Sequence, residues 1–221
     1  MSKTVVITGA NRGIGLSFAR YYSDLGWTVY AGCRQSSSEL NGLMVNVIEG
    51  ADVADPEGIT QLVNALKGAS VDVLINNAGV LHYDALGGID ADSIRRQFEV
   101  NALGPLMVCE ALRDNLSSGG KIALITSRMG SIADNTSGSR YGYRMSKAAL
   151  NMAGVSLAHD LSSQGVAVAI LHPGLVGTDM IGGRGDITPD QAAERLAQRI
   201  DELNLDNSGT FWHSNGQELP W

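Results

Sequence analysis

Short runs of apolar, often β-branched residues alternate along the chain with longer segments that predict helices. Such runs are typical of buried parallel strands. The expected strands span residues 4–8, 28–33, 44–48, 71–75, 121–126, 166–171 and 209–213. The expected helices span residues 13–25, 56–66, 91–116 and 189–203, and a further helix carries Tyr143 and continues through residues 146–161. The alternation predicts an α/β fold, namely a single doubly wound domain over residues 1–221 with a parallel seven-stranded sheet and helices on both faces.

Several glycine, proline or polar positions follow the ends of predicted strands. They are Gly9, Asp52, Asn77, Ser127 and Pro173. In a doubly wound sheet, ligands bind beyond the carboxyl ends of the strands, where the winding reverses. We therefore expect these five positions to border one ligand site.

A glycine-rich turn joins the first strand to the first helix. Gly9, Gly13 and Gly15 follow the spacing G-x-x-x-G-x-G, which differs from the usual dinucleotide fingerprint G-x-G-x-x-G. Glycines at such a turn let backbone N–H groups approach a phosphate at the helix N-terminus, where the helix dipole favours negative charge. The turn predicts a phosphate-binding site, and the alternative is a plain turn between strand and helix.

Tyr143 and Lys147 are four residues apart in a segment that predicts a helix, so their side chains share one face. An ammonium group beside a phenol favours the phenolate, and we therefore expect Lys147 to lower the pKa of Tyr143. A tyrosine tuned in this way is a usable proton donor and acceptor. The alternative is an ordinary solvated helix face.

Composition narrows the class of protein. Hydrophobic residues make up 44% of the chain and charged residues 18%, as in a globular protein. The formal net charge of −7 argues against a nucleic-acid partner. The four histidines and two cysteines show no metal-ligand spacing, so we expect no metal. No apolar stretch reaches 18 residues and no signal peptide is evident, so we expect no membrane association and a cytoplasmic location.

Taken together, the motifs resemble the short-chain dehydrogenase/reductase family over nearly the whole chain. The similarity rests on their order: the glycine turn 8–15, Asp52 with Val53, the segment 76–79, Asn101, Ser127, Tyr143 with Lys147, and the segment 173–180. The resemblance implies a Rossmann-type fold that binds a nicotinamide dinucleotide. It implies a catalytic set formed by Asn101, Ser127, Tyr143 and Lys147.

The resemblance also implies a role for each matching residue. Tyr143 would donate a proton to a carbonyl oxygen, Ser127 would hydrogen-bond that oxygen, and Lys147 would also hold the nicotinamide ribose. Asn101 would shape its helix and support a water relay to Lys147. The cofactor-binding set would be Gly9, Asn11, Arg12, Gly13, Ile14, Gly15, Arg34, Asp52, Val53, Asn77, Ala78, Gly79, Tyr143, Lys147, Pro173, Gly174, Val176 and Thr178.

Charge at the end of the second strand predicts which cofactor binds. An acid there suits the ribose 2′-hydroxyl of NAD, whereas an arginine suits the 2′-phosphate of NADP. The chain has Arg34 at this point and no acid before Glu39, and Arg12 adds a second cation in the glycine turn. We therefore expect NADP(H) to be preferred over NAD(H). The alternative is that both arginines are ordinary surface cations.

Two departures from the wider family indicate a branch. Ser127 and Tyr143 are separated by a longer segment than usual, and the region after Thr178 is short. With the terminal residues 218–221, this pattern resembles the C-factor and sniffer-like carbonyl reductases. The resemblance implies NADPH-dependent reduction of an aldehyde, ketone or quinone, in a homodimer or homotetramer. The alternative is a non-catalytic signalling or redox-sensing protein that binds the cofactor on the same fold.

Overall fold

The computed structural model describes residues 2–221; Met1, which the predicted domain includes, lies outside them. Its sheet has seven strands in the order β3-β2-β1-β4-β5-β6-β7, and every neighbouring pair is parallel. The strands are β1 (Thr4–Thr8), β2 (Thr28–Gly32), β3 (Asn46–Ile48), β4 (Val71–Asn76), β5 (Leu116–Ile125), β6 (Ala167–His172) and β7 (Phe211–His213). The predicted parallel seven-stranded sheet is confirmed.

Seven α-helices connect the strands within the described residues. They are α1 (Gly13–Asp24), α2 (Ser38–Asn41), α3 (Pro56–Leu66), α4 (Ala91–Phe98), α5 (Gly104–Leu112), α6 (Tyr141–Leu161) and α7 (Pro189–Glu202). Side chains alternate between the faces of a strand, and β1 shows how this builds two cores. Val5 and Ile7 pack with residues of α1 and α7, whereas Val6 packs with residues of α3, α5 and α6.

The winding reverses between β1 and β4, which are neighbours in the sheet although β2 and β3 lie between them in sequence. This is the point at which ligands bind in doubly wound sheets. The turn after β1 and the segment after β4 meet there. The Thr8 hydroxyl accepts hydrogen bonds from the backbone N–H groups of Asn77 and Ala78, both at 3.1 Å.

Most predicted elements match the structure closely. Helix α3 has the predicted bounds, while α1 and α7 each end one residue earlier than predicted. The short helix α2, capped by the Ser37 hydroxyl, was not predicted.

The prediction of one continuous helix over residues 91–116 is wrong. A π-helical turn at Glu99–Leu103 separates α4 from α5, and a 3-10 turn at Arg113–Asn115 follows. The extra residue of the π turn places Asn101 where its side chain bonds Val80, so tertiary contacts select a backbone that sequence periodicity does not reveal. Such turns are frequent at functional sites.

The start of β5 also differs from the prediction. Leu116 pairs with Val71, and regular pairing resumes only at Lys121. Gly119, with φ near +82°, adopts a left-handed conformation in the intervening irregularity. This lets β5 begin five residues before the predicted strand, and Leu116 therefore lies in a strand rather than at a helix end.

Candidate active site

The glycine turn after β1 forms a tight cradle at the N-terminus of α1. Gly9 and Gly13 have φ of +66° and +53°, and a Cβ on Gly15 would overlap the carbonyl oxygen of Gly9. Arg12 is the N-cap residue of α1, and its side chain makes no capping hydrogen bond. Small residues and free backbone donors at a helix N-terminus fit the phosphates of a dinucleotide.

A cavity of about 770 Å³ extends from this turn to Tyr143 and Lys147. Its lining includes most of the predicted site, namely Gly9, Asn11, Arg12, Gly13, Ile14, Arg34, Asp52, Val53, Asn77, Ala78, Gly79, Tyr143, Lys147, Pro173 and Thr178. Predicted residues that do not line it are Gly15, Asn101, Ser127, Gly174 and Val176. Gly15 packs against Gly9 in the glycine turn, and Asn101 is fully buried and hydrogen-bonds Val80 and Ser146. Val176 is a buried residue bridged to Ile187, so its contribution is to the loop backbone.

The lining also contains residues that sequence reasoning did not select. They are Cys33, Gln35, Ala51, Val80, Arg96, Val100, Ile125, Thr126, Gly177, Asp179, Met180 and Pro189. Most of them are next to a predicted position in sequence, so including the neighbours of each predicted residue would have identified them. Arg96 is different, because it lies in the last turn of α4, far in sequence from every predicted site position except Asn101, and reaches the cavity only through packing.

Arg96 donates a hydrogen bond to the Asp52 carboxylate at 3.0 Å. Burial opposes ionisation of Asp52, but hydrogen bonds from the Ala54 N–H and Arg96 outweigh it. With the positive charges of Arg96 and Arg34, they lower the pKa of Asp52. Asp52 is therefore ionised, and two cations compensate its negative charge at this end of the cavity.

Asn77 holds the glycine turn and the end of β4 together. Its side-chain amide donates to the carbonyl oxygens of Thr8 and Gly9, both at 3.1 Å. A Cβ on Gly9 would lie 2.9 Å from the Cα of Ala78. The glycine turn and the segment after β4 are thus packed backbone against backbone. This contact holds the two segments, which both line the cavity, in fixed positions relative to each other.

Lys147 is buried at the far end of the cavity and points toward the end of β5. Its Nζ donates to the carbonyl oxygen of Ile125 at 2.9 Å and lies 5.8 Å from the centroid of the Tyr143 ring. Burial lowers the pKa of Lys147 to about 8. The ammonium is therefore still largely charged at neutral pH.

The prediction that Lys147 lowers the pKa of Tyr143 is wrong for this arrangement. Burial raises the pKa of Tyr143, and hydrogen bonding with Ser127 offsets only part of that effect. The cause is the low polarity around the phenol, which disfavours the phenolate. Tyr143 is thus a protonated phenol at neutral pH and is suited to donate a proton.

Ser127 and Asn101 are both buried. The Ser127 hydroxyl accepts a hydrogen bond from the Met129 N–H at 3.1 Å. The Asn101 side chain bonds both the N–H and the carbonyl oxygen of Val80 at 2.8 Å, and it donates to Ser146 Oγ at 3.0 Å. Asn101 therefore ties the π-helical turn to α6 and to the segment after β4.

Gly79 leaves room between Asn101 and Lys147. A Cβ at this residue would lie 3.3 Å from Asn101 Oδ1 and 3.7 Å from Lys147 Nζ. Both groups therefore face the same small space, which a side chain would fill. The water relay predicted between Asn101 and Lys147 stays a prediction.

The loop after β6 closes the other side of the cavity. A Cβ on Gly13 would lie 3.3 Å from the Thr178 methyl carbon, and Arg12 pairs with Asp179 across the gap at 3.3 Å. Gly174, with φ near +94°, faces the ring of His213 instead. The loop therefore contributes Pro173 and residues 177–180 to the lining.

Comparison with known proteins identifies the family. Residues 3–189 match the short chain dehydrogenase family, and the chain belongs to it. It is 45% identical over 224 residues to the 1-hydroxy-2-glutathionyl-2-methyl-3-butene dehydrogenase of Rhodococcus sp. strain AD45, with 99% of each chain covered. It is 47% identical over 154 residues to the C-signal of Myxococcus xanthus, covering 68% of this chain and 93% of that protein.

A solved structure of the same architecture is the NADPH-bound carbonyl reductase from chicken fatty liver. It matches with a TM-score of 0.91 and 29% identity, covering 100% of this chain and 99% of that one. These matches confirm the predicted class, a short-chain dehydrogenase/reductase, and its resemblance to the C-factor and carbonyl reductase branch.

Two further features bear on partners. Within residues 2–221, no helix combines the length and the apolar character needed to cross a membrane. Over the same residues, no group of three or more His, Cys, Asp or Glu side chains is arranged to hold a metal ion.

Proposed function

We propose that the protein reduces the carbonyl group of a small aldehyde, ketone or quinone to an alcohol, with NADPH as reductant. The observation that carries this proposal is that Tyr143 and the buried Lys147 line one end of a cavity whose other end is a glycine cradle. A cofactor whose phosphates lie at the cradle would extend toward Tyr143. When bound, it supplies the hydride that reduces the carbonyl carbon.

Tyr143 supplies the proton in this proposal. Its raised pKa keeps the phenol protonated at neutral pH, so it donates to the carbonyl oxygen as negative charge develops there. The Ser127 hydroxyl, next to Tyr143, donates a second hydrogen bond to the same oxygen. The products are the alcohol and NADP⁺, and the proton on the new hydroxyl comes from Tyr143.

Lys147 and Asn101 serve the proton donor. The buried ammonium of Lys147 binds the nicotinamide ribose. The space beside Gly79, which Asn101 and Lys147 both face, accommodates a water that returns a proton toward Tyr143. Asn101 is fixed for this role by its bonds to Val80 and Ser146.

We further propose that NADP(H) is preferred over NAD(H). Arg34 and Arg12 both line the cavity, and no acid lies at the end of β2 to bind a free 2′-hydroxyl. The carboxylate nearby, Asp52, is already engaged by Arg96. The NADPH in the chicken carbonyl reductase supports this choice.

A second candidate is the reverse reaction, oxidation of an alcohol that carries a glutathionyl group. The 45% identity to the Rhodococcus dehydrogenase over nearly the full length of both chains favours it. The same four residues would act in reverse, with Tyr143 accepting the proton. Because Tyr143 must first be deprotonated, this direction requires a higher pH than reduction.

A non-catalytic signalling role is the alternative from another class, and the similarity to the C-signal supports it. Against it stands the complete set of Asn101, Ser127, Tyr143 and Lys147, which a pure binding protein has no need to retain. The alternative predicts NADPH binding without turnover.

We propose a homodimer or homotetramer that works in the cytoplasm. Exposed apolar side chains on α5 and α6, including Leu106, Met107 and Met152, offer a contact surface between copies. Cys33 and Cys109 are buried free thiols, which suits a reducing compartment. Sedimentation velocity of wild type and Met152→Glu tests the assembly, and a wild type that sediments as a monomer would overturn it.

The decisive experiment follows NADPH oxidation by nicotinamide absorbance against a panel of aldehydes, ketones and quinones. We expect wild-type turnover, and loss of nearly all turnover in Tyr143→Phe with NADPH binding intact. Tyr30→Phe is the matched control, because it removes a phenolic hydroxyl on β2 outside the cavity. Full activity in Tyr143→Phe would overturn the mechanism, and NADPH binding by an inactive wild type would favour the signalling role.

A further inference from the structure

Asp84, in the loop after β4, accepts hydrogen bonds from three successive backbone N–H groups at the start of α6. The Arg140 N–H donates to the Asp84 carbonyl oxygen at 2.8 Å. The Tyr141 and Gly142 N–H groups donate to its two carboxylate oxygens, the latter at 3.1 Å. The first turn of the helix that carries Tyr143 is therefore capped by a residue more than fifty positions earlier in the chain.

The backbone at this junction is held in an unfavourable conformation. Ser139 and Arg140 both have φ near +53°, a left-handed conformation that is uncommon for residues other than glycine. Such conformations persist where surrounding contacts enforce them. The Arg140 guanidinium also stacks 4.9 Å from the centroid of the Tyr83 ring. Residues 83–84 therefore contact residues 140–142 through both side-chain and backbone atoms.

The other end of this loop is tied to the cofactor side of the cavity. Asn101 bonds Val80, and the Gln97 side chain accepts a hydrogen bond from the His82 N–H at 3.1 Å. A Cβ on Gly142 would overlap Gln97 Nε2, so α6 packs directly on the same glutamine. Residues 80–84 therefore form a short bridge from the cavity lining at Gly79 to the start of α6.

We propose that Asp84 is a positioning residue for the reduction, a role that rests on the proposed function. By fixing Tyr141 and Gly142, it sets the position of the Tyr143 phenol relative to the cofactor side of the cavity. Proton donation depends steeply on such placement, and a displacement of about 1 Å costs on the order of a hundredfold in rate. Asp84 itself is not among the residues that line the cavity.

The test compares Asp84→Ala and Asp84→Asn with Asp90→Ala. Asp90 is a matched control, because its carboxylate also accepts two backbone N–H groups in the first turn of a helix, α4. For each variant, NADPH-binding sites are counted by fluorescence titration, and kcat per site and its solvent deuterium isotope effect are measured. Thermal unfolding reports the loss of stability separately.

We expect Asp84→Ala to lower kcat per site about tenfold or more, with NADPH affinity unchanged and a larger solvent isotope effect, because proton donation becomes slower. Asp84→Asn retains one acceptor oxygen, so its kcat per site should lie between those of wild type and Asp84→Ala. Asp90→Ala should lose stability without a change in kcat per site or in the isotope effect. If Asp84→Ala does not fold, Asp84→Asn carries the test.

Wild-type kcat and isotope effect per binding site in a folded Asp84 variant would overturn the inference while leaving the proposed function intact. A wild type that binds NADPH and reduces nothing would instead overturn the proposed function, and the positioning role with it.

Discussion

Lys147 Nζ lies 5.8 Å from the centroid of the Tyr143 ring and hydrogen-bonds the carbonyl oxygen of Ile125 rather than the phenol. The two side chains share one helix face, as their spacing predicts, yet burial dominates the titration of both. It raises the pKa of Tyr143 and lowers that of Lys147. The pair at neutral pH is therefore a protonated phenol beside a cation, which is the state that the proposed reduction requires.

The pKa of Lys147, about 8, gives a pH prediction. The dependence of kcat/KM for NADPH on pH reports groups of the free enzyme. We expect this parameter to fall above pH about 8, because Lys147 then loses the charge with which we propose that it binds the cofactor. Lys121→Met should keep the decline, since Lys121 bonds the carbonyl oxygens of Ile200 and Asp201 outside the cavity. A profile of kcat/KM for NADPH that stays flat well beyond pH 8 would contradict the assignment of the decline to Lys147.

Arg34 provides a test of cofactor choice. We expect Arg34→Ala to weaken NADPH binding by about tenfold or more, since a hydrogen bond to a charged group contributes about 1.5–3 kcal/mol. NADH binding should change little, because NADH has no 2′-phosphate. Titration of both cofactors measures this. Arg95→Ala, which removes an arginine paired with Asp92 outside the cavity, is the control, and equal losses for both cofactors would refute the assignment.

The ion pair between Arg12 and Asp179 spans the mouth of the cavity at 3.3 Å, and both side chains are exposed. Asp179→Asn releases Arg12 and removes a negative charge near the phosphates of a bound cofactor. We expect NADPH to bind about two- to fivefold more tightly, in line with the small energies of exposed pairs, and the gain should shrink with added salt. Asp114→Asn, which breaks a remote exposed pair with Arg113, should have no effect. Weaker binding by Asp179→Asn would mean that the carboxylate itself supports the cofactor.

We expect His172 to make folding stability sensitive to acid. Burial, with the nearby charges of His213 and Arg128, lowers its pKa to about 3, and Nδ1 has no hydrogen-bond partner within the described residues. Because the unfolded state binds a proton near pH 6.5 and the folded state does not, stability falls as pH drops below that value, by about 1.4 kcal/mol per unit. The fall ends near pH 3, where the folded state is protonated too.

Urea unfolding at pH 7 and pH 5 tests this dependence. Wild type should lose more stability between the two pH values than His172→Asn does. His159→Asn, at an exposed position on α6, should behave as wild type. Equal losses in wild type and His172→Asn would show that other groups cause the acid sensitivity.

The sequence alone determined the sheet and the glycine turn. The apolar runs of β1 and β4 are buried on both faces, and the pattern of such strands is a local property of the chain. There is no room for a side chain at Gly15, because a Cβ there would overlap the carbonyl oxygen of Gly9. The glycine in the sequence therefore indicates this close approach of the backbone. The spacing of Tyr143 and Lys147 placed both on one helix face before any tertiary contact was considered.

Tertiary structure alone decided the electrostatics and the long-range supports of the site. Arg96 reaches Asp52 across 44 positions, and Asp84 caps α6 from 57 positions away. Neither pairing has a local pattern that would predict it. The same holds for the π-helical turn at Glu99–Leu103, whose contacts with Val80 and Ser146 lie outside its own helix. The pKa of Tyr143 moved against the prediction because burial depends on how the chain packs around the phenol, and helical spacing carries no information about that packing.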